Sequence, residues 1–262
     1  MRRAAALLLA FAAVGAGTAS AITYGQPDGS RHPSTGAMVF FSPSRQAFRV
    51  TCSGTLIAPT VFLTAAHCTS FLEEHGISDV WVTFDAQFSQ SSPLHHGVMH
   101  TNPLFNKTSS DPEDIAVITL DDPVLGIAPV HLPPAGLLSA MKGAGTLNGT
   151  RFTSVGYGDQ EARNEPGGHV FTFTGERRFA SGEFNALTHT LLKLSENPAT
   201  GDGGTCFGDS GGPQFLGAGA SETNTEVSLT LTGDTYCRAT NVDYRLDTPQ
   251  ARTFLRNYVT LP

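Results

Sequence analysis

Short runs of β-forming residues recur along this chain, and few windows repeat apolar residues at the helical period. That pattern confines it to the all-β class, as a sandwich or barrel. The runs fall at 38–41, 48–57, 61–64, 80–84, 115–120, 151–157, 170–173, 227–232 and 242–246, with Gly, Pro, Asn and Asp between them. Those are the residues that turns require. One helix is expected, at the C-terminus. Asp247 or Thr248 can cap it, Pro249 suits its first turn, and Phe254, Leu255 and Tyr258 share a face. The stretch 123–136, with Pro133-Pro134, is the expected crossing between two halves. A length of 262 residues suits one large β unit or two domains, each with its own core.

The first residues are a separate matter. Arg2 and Arg3 precede an apolar run over 4–14, and Ala19-Ser20-Ala21 matches the small-x-small site that signal peptidase cuts. The run is too short to cross a bilayer, which takes about 20 apolar residues, and nothing else in the chain reads as a membrane anchor. Residues 1–21 are therefore expected to be a cleaved signal, and the protein to be secreted. The formal net charge is −7, and it becomes more negative once Arg2 and Arg3 leave. With no basic stripe, nucleic acid and anionic membrane are poor partners. Four cysteines in an exported chain suggest two disulfides, with three pairings open. The sequons at Asn106 and Asn148 matter only in a host that glycosylates exported proteins.

Three segments carry chemistry. In Cys206-Phe207-Gly208-Asp209-Ser210-Gly211-Gly212-Pro213, glycines flank a serine, permitting a tight turn that exposes its hydroxyl. The N–H groups of Gly208 and Ser210 can then converge on a developing oxyanion. Taken alone, the segment is equally a glycine-rich turn with an incidental serine. In Leu63-Thr64-Ala65-Ala66-His67-Cys68, a β run ends on a histidine, whose imidazole ordinarily titrates where a general base is useful. The adjacent His95-His96 pair does not make a metal site, because neighbouring side chains on a strand point apart. Asp114 stands at the head of the apolar run Ile115-Ala116-Val117-Ile118-Thr119-Leu120, so among nearby acids it is the one drawn inward. A buried carboxylate needs a partner, and a histidine N–H supplies one.

Together these segments resemble the chymotrypsin-like serine protease family, in which His, Asp and Ser follow one another in that order. The resemblance covers most of the chain. It includes Gly156-Tyr157-Gly158, where the family usually shows Gly-Trp-Gly, and Tyr244-Arg245-Leu246 before the last helix. It implies two antiparallel six-stranded β-barrels, 22–132 and 133–262, with the active site in the cleft between them and a C-terminal helix. It further implies a triad of His67, Asp114 and Ser210, an oxyanion hole of Gly208 and Ser210, and disulfides Cys52–Cys68 and Cys206–Cys237. The implied substrate pocket comprises Gly204, Phe207, Gly233, Val242 and Tyr244. Glycine at 204 leaves its floor uncharged, and strand alternation turns Val242 and Tyr244 inward and Asp243 away. A medium-sized apolar residue is the expected fit.

The signal cut would expose Ile22, whose ammonium the resemblance pairs with Asp209, so no separate propeptide is expected. Protein or peptide substrates, a monomer, and no metal or cofactor complete the expectation. Two features depart from the family. Its usual serine hydrogen-bonded to the catalytic aspartate is missing, with Thr230 or Thr232 as candidates to replace it, and the mature start reads Ile-Thr-Tyr-Gly. A catalytically silent binding protein on the same fold is the main alternative. A secreted esterase would match the G-x-S-x-G pattern at 208–212, but not the strand-rich chain or the His-Asp-Ser order.

Overall fold

The computed structural model describes residues 22–262, so the expected signal at 1–21 lies outside the described residues. A two-residue strand, β1 (Gln26–Pro27), precedes the first barrel. That barrel consists of β2 (Thr35–Ser42), β3 (Ala47–Ala58), β4 (Val61–Thr64), β5 (Val80–Thr83), β6 (His95–Thr101) and β7 (Ala116–Leu120). These close in the order β2-β3-β4-β7-β6-β5. The second barrel consists of β8 (Arg151–Gly156), β11 (Arg178–Leu187), β12 (Leu191–Ser195), β13 (Pro213–Leu216), β14 (Glu226–Gly233) and β15 (Thr240–Arg245). It runs β11-β12-β15-β14-β13-β8, and the β11–β8 pairing closes it. A small hairpin of β9 (Arg163–Glu165) and β10 (Gly168–Val170) projects from the connection between β8 and β11. The chain thus forms two closed six-stranded antiparallel barrels, and closure leaves neither sheet a free edge.

The expected C-terminal helix forms as α3 (Pro249–Leu255), with the Thr248 side chain accepting the Ala251 N–H and Pro249 in the first turn. Two short helices appear beyond expectation, α1 (Ala66–Glu74) and α2 (Leu137–Gly143). Neither has a side-chain N-cap, so the start signals that mark a helix in sequence are missing from both.

The barrels are joined by packing and by a buried polar clamp. One continuous apolar cluster runs from Met38, Phe62 and Ile118 in the first barrel to Phe215, Leu229 and Tyr244 in the second. The strap before the first barrel belongs to the second, since β1 pairs with β11. Arg177 fixes that strap. Its Nε donates to Asp28 Oδ2 at 2.7 Å, and its guanidinium also reaches the carbonyls of Gly29, Thr35 and Phe84. His32, stacked on Phe215, lies between Asp28 and Glu222. A buried arginine costs little only when its donors are satisfied, and here partners from both barrels satisfy them.

Candidate active site

Strand β4 delivers the chain to Ala65, and α1 starts at once, so His67 sits in the helix's first turn at the mouth between the barrels. Asp114 heads the strand that pairs with β4. Its carboxylate is 4% exposed and takes two bonds from one residue: the His67 N–H donates to Oδ1 at 2.8 Å, and His67 Nδ1 meets Oδ2 at 2.8 Å. That double contact fixes the ring's rotation and leaves Nε2 as the nitrogen free to work. Among the described residues no threonine hydrogen-bonds to Asp114. Thr230 Oγ1 accepts from Gln214 Nε2 at 3.0 Å instead. The Tyr244 hydroxyl approaches this acidic corner, donating to Asp111 Oδ1 at 3.3 Å.

Ser210 lies on the turn between β12 and β13. Gly208 and Gly211 hold φ of 96° and 79°, values that favour glycine. Space requires glycine too, because a Cβ at Gly211 would stand 2.3 Å from Thr64 Oγ1 and 2.6 Å from the Ser53 carbonyl. The turn is therefore wedged against the strands that carry His67. The Ser53 N–H donates to the Ser210 carbonyl at 2.9 Å, and the Ser53 hydroxyl to the Gly208 carbonyl at 3.1 Å. Those bonds aim the two carbonyls into the protein. Both disulfides implied by the resemblance are formed, Cys52–Cys68 beneath the histidine and Cys206–Cys237 beside the serine turn. The cysteines grouped with His67 are consequently unavailable as thiolate metal ligands.

Asp209 is fully buried behind the serine. The Gly158 N–H donates to its Oδ1 at 2.7 Å and the Cys206 N–H to its Oδ2 at 2.9 Å. Burial nonetheless pushes this carboxyl up to about 7, and the nearby Asp159 adds to the rise. Gly156 and Gly158 wrap it so closely that a Cβ on either would come within 2.5 Å of one of its oxygens. Ile22 is buried as well, and Thr23 forms a two-way backbone bridge with Gly204, at 2.8 and 3.1 Å.

His67 and Ser210 open onto one cleft of about 520 Å³, walled by Thr205–Phe207 and by residues 230–235 with Cys237. Of the expected pocket residues, Phe207 and Gly233 line it. Gly204, Val242 and Tyr244 do not. Tyr244 is fully buried in the core cluster and Val242 is half-buried, so neither reaches the cleft. Asn241 and Asp243 share the face toward Thr205, where Asn241 Oδ1 accepts the Thr205 hydroxyl at 2.7 Å.

One group had no signal in the sequence. Glu196, just past β12, sends its carboxyl beneath Gly204, where its Oε1 accepts the Thr205 N–H at 2.5 Å. Burial pushes it up to about 8, and the neighbouring Asp234 and Asp209 also raise it. The outer rim is aromatic. Phe207 meets Phe171 edge-on at 5.2 Å, and His169 meets Tyr236 at 4.5 Å, both partners coming from the β9–β10 hairpin and the residues after it.

Known proteins share this architecture. The solved structure of HL collagenase superposes with a TM-score of 0.66, covering 90% of this chain and 98% of its own, at 17% identity. At that identity the likeness is one of fold. A curated relative, a trypsin from Saccharopolyspora erythraea, is 30% identical over 194 residues, or 71% of this chain and 77% of the relative. The family model for trypsin matches residues 25–245, a span that holds His67, Asp114 and Ser210 together with both disulfides. This chain belongs to the trypsin family of serine proteases.

Proposed function

We propose that the protein is a secreted serine endopeptidase in which Ser210 is the nucleophile, His67 the general base and Asp114 the group that orients His67. Ser210 Oγ attacks the scissile carbonyl as its proton passes to His67 Nε2. The Gly208 and Ser210 N–H groups bind the resulting oxyanion, and His67 returns the proton to the departing amine. Water then repeats the sequence on the acyl-enzyme and frees Ser210. Asp114 holds the imidazolium in place through Nδ1. The observation that carries this reading is the double contact of Asp114 with His67, in a cleft that His67 shares with Ser210. Further support comes from the Phe207 and Asp209 carbonyls, which share peptide planes with the Gly208 and Ser210 N–H groups and accept from the Asp159 and Gly212 N–H groups at 2.7 and 2.8 Å, so the two N–H groups point the other way.

The same reading covers export and activation. Signal cleavage after Ala21 frees the Ile22 ammonium, which pairs with Asp209 without any further propeptide, and the product acts as a monomer on protein or peptide substrates. Ile22 is already buried and Thr23 is bridged to Gly204, which favours this over an unanchored terminus. The test is hydrolysis of a peptide library alongside matched esters. Peptide cleavage with an acyl-enzyme burst is expected. Ester turnover with intact peptides would establish the esterase instead, and no turnover of either would establish the silent binding protein.

A further inference from the structure

The peptide group between Gly208 and Asp209 is flanked by the two that carry the proposed oxyanion donors. On one side lies the group that joins the Phe207 carbonyl to the Gly208 N–H, and on the other the group that joins the Asp209 carbonyl to the Ser210 N–H. Main-chain donors anchor both flanking groups, from Asp159 at 2.7 Å and from Gly212 at 2.8 Å. The middle group is held differently. Its N–H, on Asp209, donates to the Cys206 carbonyl at 3.1 Å, a bond internal to the turn. Its carbonyl, on Gly208, accepts from the Ser53 hydroxyl at 3.1 Å and, among the described residues, from no backbone N–H. Ser53 lies on β3 of the first barrel and is fully buried. The Tyr157 N–H donates to its Oγ at 2.9 Å. An amide N–H only donates and a carbonyl only accepts, so the single hydroxyl proton is committed to Gly208. Ser53 has little freedom to give way. Its own N–H bonds the Ser210 carbonyl at 2.9 Å, and its carbonyl accepts the Thr64 hydroxyl at 2.8 Å.

Gly208, at a φ of 96°, has no Cβ to confine its backbone, so the peptide group after it is free to rotate unless something outside the turn holds it. Rotation there changes the angle between the Gly208 and Ser210 N–H groups, which must converge on one oxygen to stabilise it. We infer that Ser53 is a positioning residue for the oxyanion hole: its hydroxyl, fixed by the Tyr157 N–H, holds the Gly208–Asp209 peptide group so that the two donors converge. The barrel that supplies His67 thereby also sets the oxyanion geometry on the other barrel. This role rests on the hydrolase reading for the identity of the two donors, but not for the hydrogen bonds of Ser53.

Peptide kinetics of wild type and Ser53→Ala, with active sites counted by titration, give the first readout. Ser53→Ala should lower kcat per active site by roughly 10- to 10²-fold, less than the loss of a donor outright, with KM within about twofold. The second readout is the binding of a peptide aldehyde and of the matching peptide alcohol. Ser210 Oγ adds to the aldehyde carbon and leaves the carbonyl oxygen in the oxyanion site, whereas the alcohol forms no adduct. Aldehyde affinity should fall by the same factor as kcat, and alcohol affinity should hold. Ser53→Gly also lacks the hydroxyl but leaves room for water to meet the buried Tyr157 N–H; it should show the same selective loss, and it carries the comparison if Ser53→Ala does not fold. Ser53→Thr keeps the donor, so its ratio of aldehyde to alcohol affinity should match wild type even where the added methyl lowers the unfolding midpoint. Aldehyde and alcohol affinities that fall together, or a kcat per active site within about twofold of wild type, overturn the positioning role and leave the hydrolase standing. Absence of peptide turnover in wild type itself removes the hydrolase reading and this role with it.

Discussion

Retaining Ala21 ahead of Ile22 should nearly abolish activity, and the size of the loss follows from Asp209. In the continuous chain the Ile22 nitrogen is an amide, and burial lifts Asp209 from 3.8 to about 7 despite two N–H donors. Ionising that carboxyl in place thus costs about 4 kcal/mol. An α-ammonium that restores ordinary ionisation contributes that much to the ordered serine turn, which includes Gly208 and Ser210. An extended chain lacks it, so its kcat/KM should fall roughly 10³-fold. Pairing also raises the ammonium above its unfolded range of about 7.7–8.0. Its contribution is full below that range and is lost as pH climbs through the raised value. The form beginning at Ile22 should therefore lose activity reversibly on the alkaline side, and the extended form should be nearly inactive throughout. Peptide kinetics on both forms, with N-terminal sequencing of each, decide the matter. An extended form within tenfold of the other, or a natural start well downstream of Ile22, refutes the reasoning.

Three further perturbations test the frame around the site. Gly158→Ala places a Cβ 2.5 Å from Asp209 Oδ2; it should cost about 1–3 kcal/mol in denaturant unfolding and also depress kcat, and an unchanged kcat would contradict the role given to Asp209. Asp114→Asn keeps the shape but loses the acceptor that fixes His67 Nδ1–H, so kcat should drop by roughly 10⁴-fold with little change in KM; a loss below tenfold would contradict the orienting role. Glu196, raised from 4.5 to about 8, stabilises the fold as a neutral acid. That contribution is full below 4.5 and is lost as pH rises through about 8, so the unfolding midpoint should decline across that window, and less so in Glu196→Gln.

The segments proposed to carry catalysis were legible because local geometry demands particular residues there. Gly208 and Gly211 hold positive φ, which favours glycine, and Asp114 stood out from neighbouring acids by leading an apolar strand. Both are short-range constraints, written into consecutive residues. The pocket was less legible because its shape depends on register. Residues along β15 alternate as a strand requires, but alternation alone does not say which set meets the cleft wall, and it is Asn241, on the face of Asp243, that contacts Thr205. Glu196 was hidden for a related reason: nothing near it in sequence indicates that the chain will fold Gly204 over its carboxyl. The anchoring of the N-terminal strap on the second barrel, through Arg177 and Asp28, is equally long-range. The helix α1 escaped notice because it starts without a cap, directly on the strand that delivers His67.

The central claim is that Ser210 is the nucleophile and that His67, held by Asp114, activates it. The most direct test is to label the mature protein with a fluorophosphonate and locate the adduct by peptide mass spectrometry, alongside peptide hydrolysis by Ser210→Ala and His67→Ala. The account predicts a single adduct on Ser210, greatly slowed labelling in His67→Ala, and hydrolysis reduced by several orders of magnitude in both variants. An adduct elsewhere, or appreciable peptide turnover by Ser210→Ala, would contradict it.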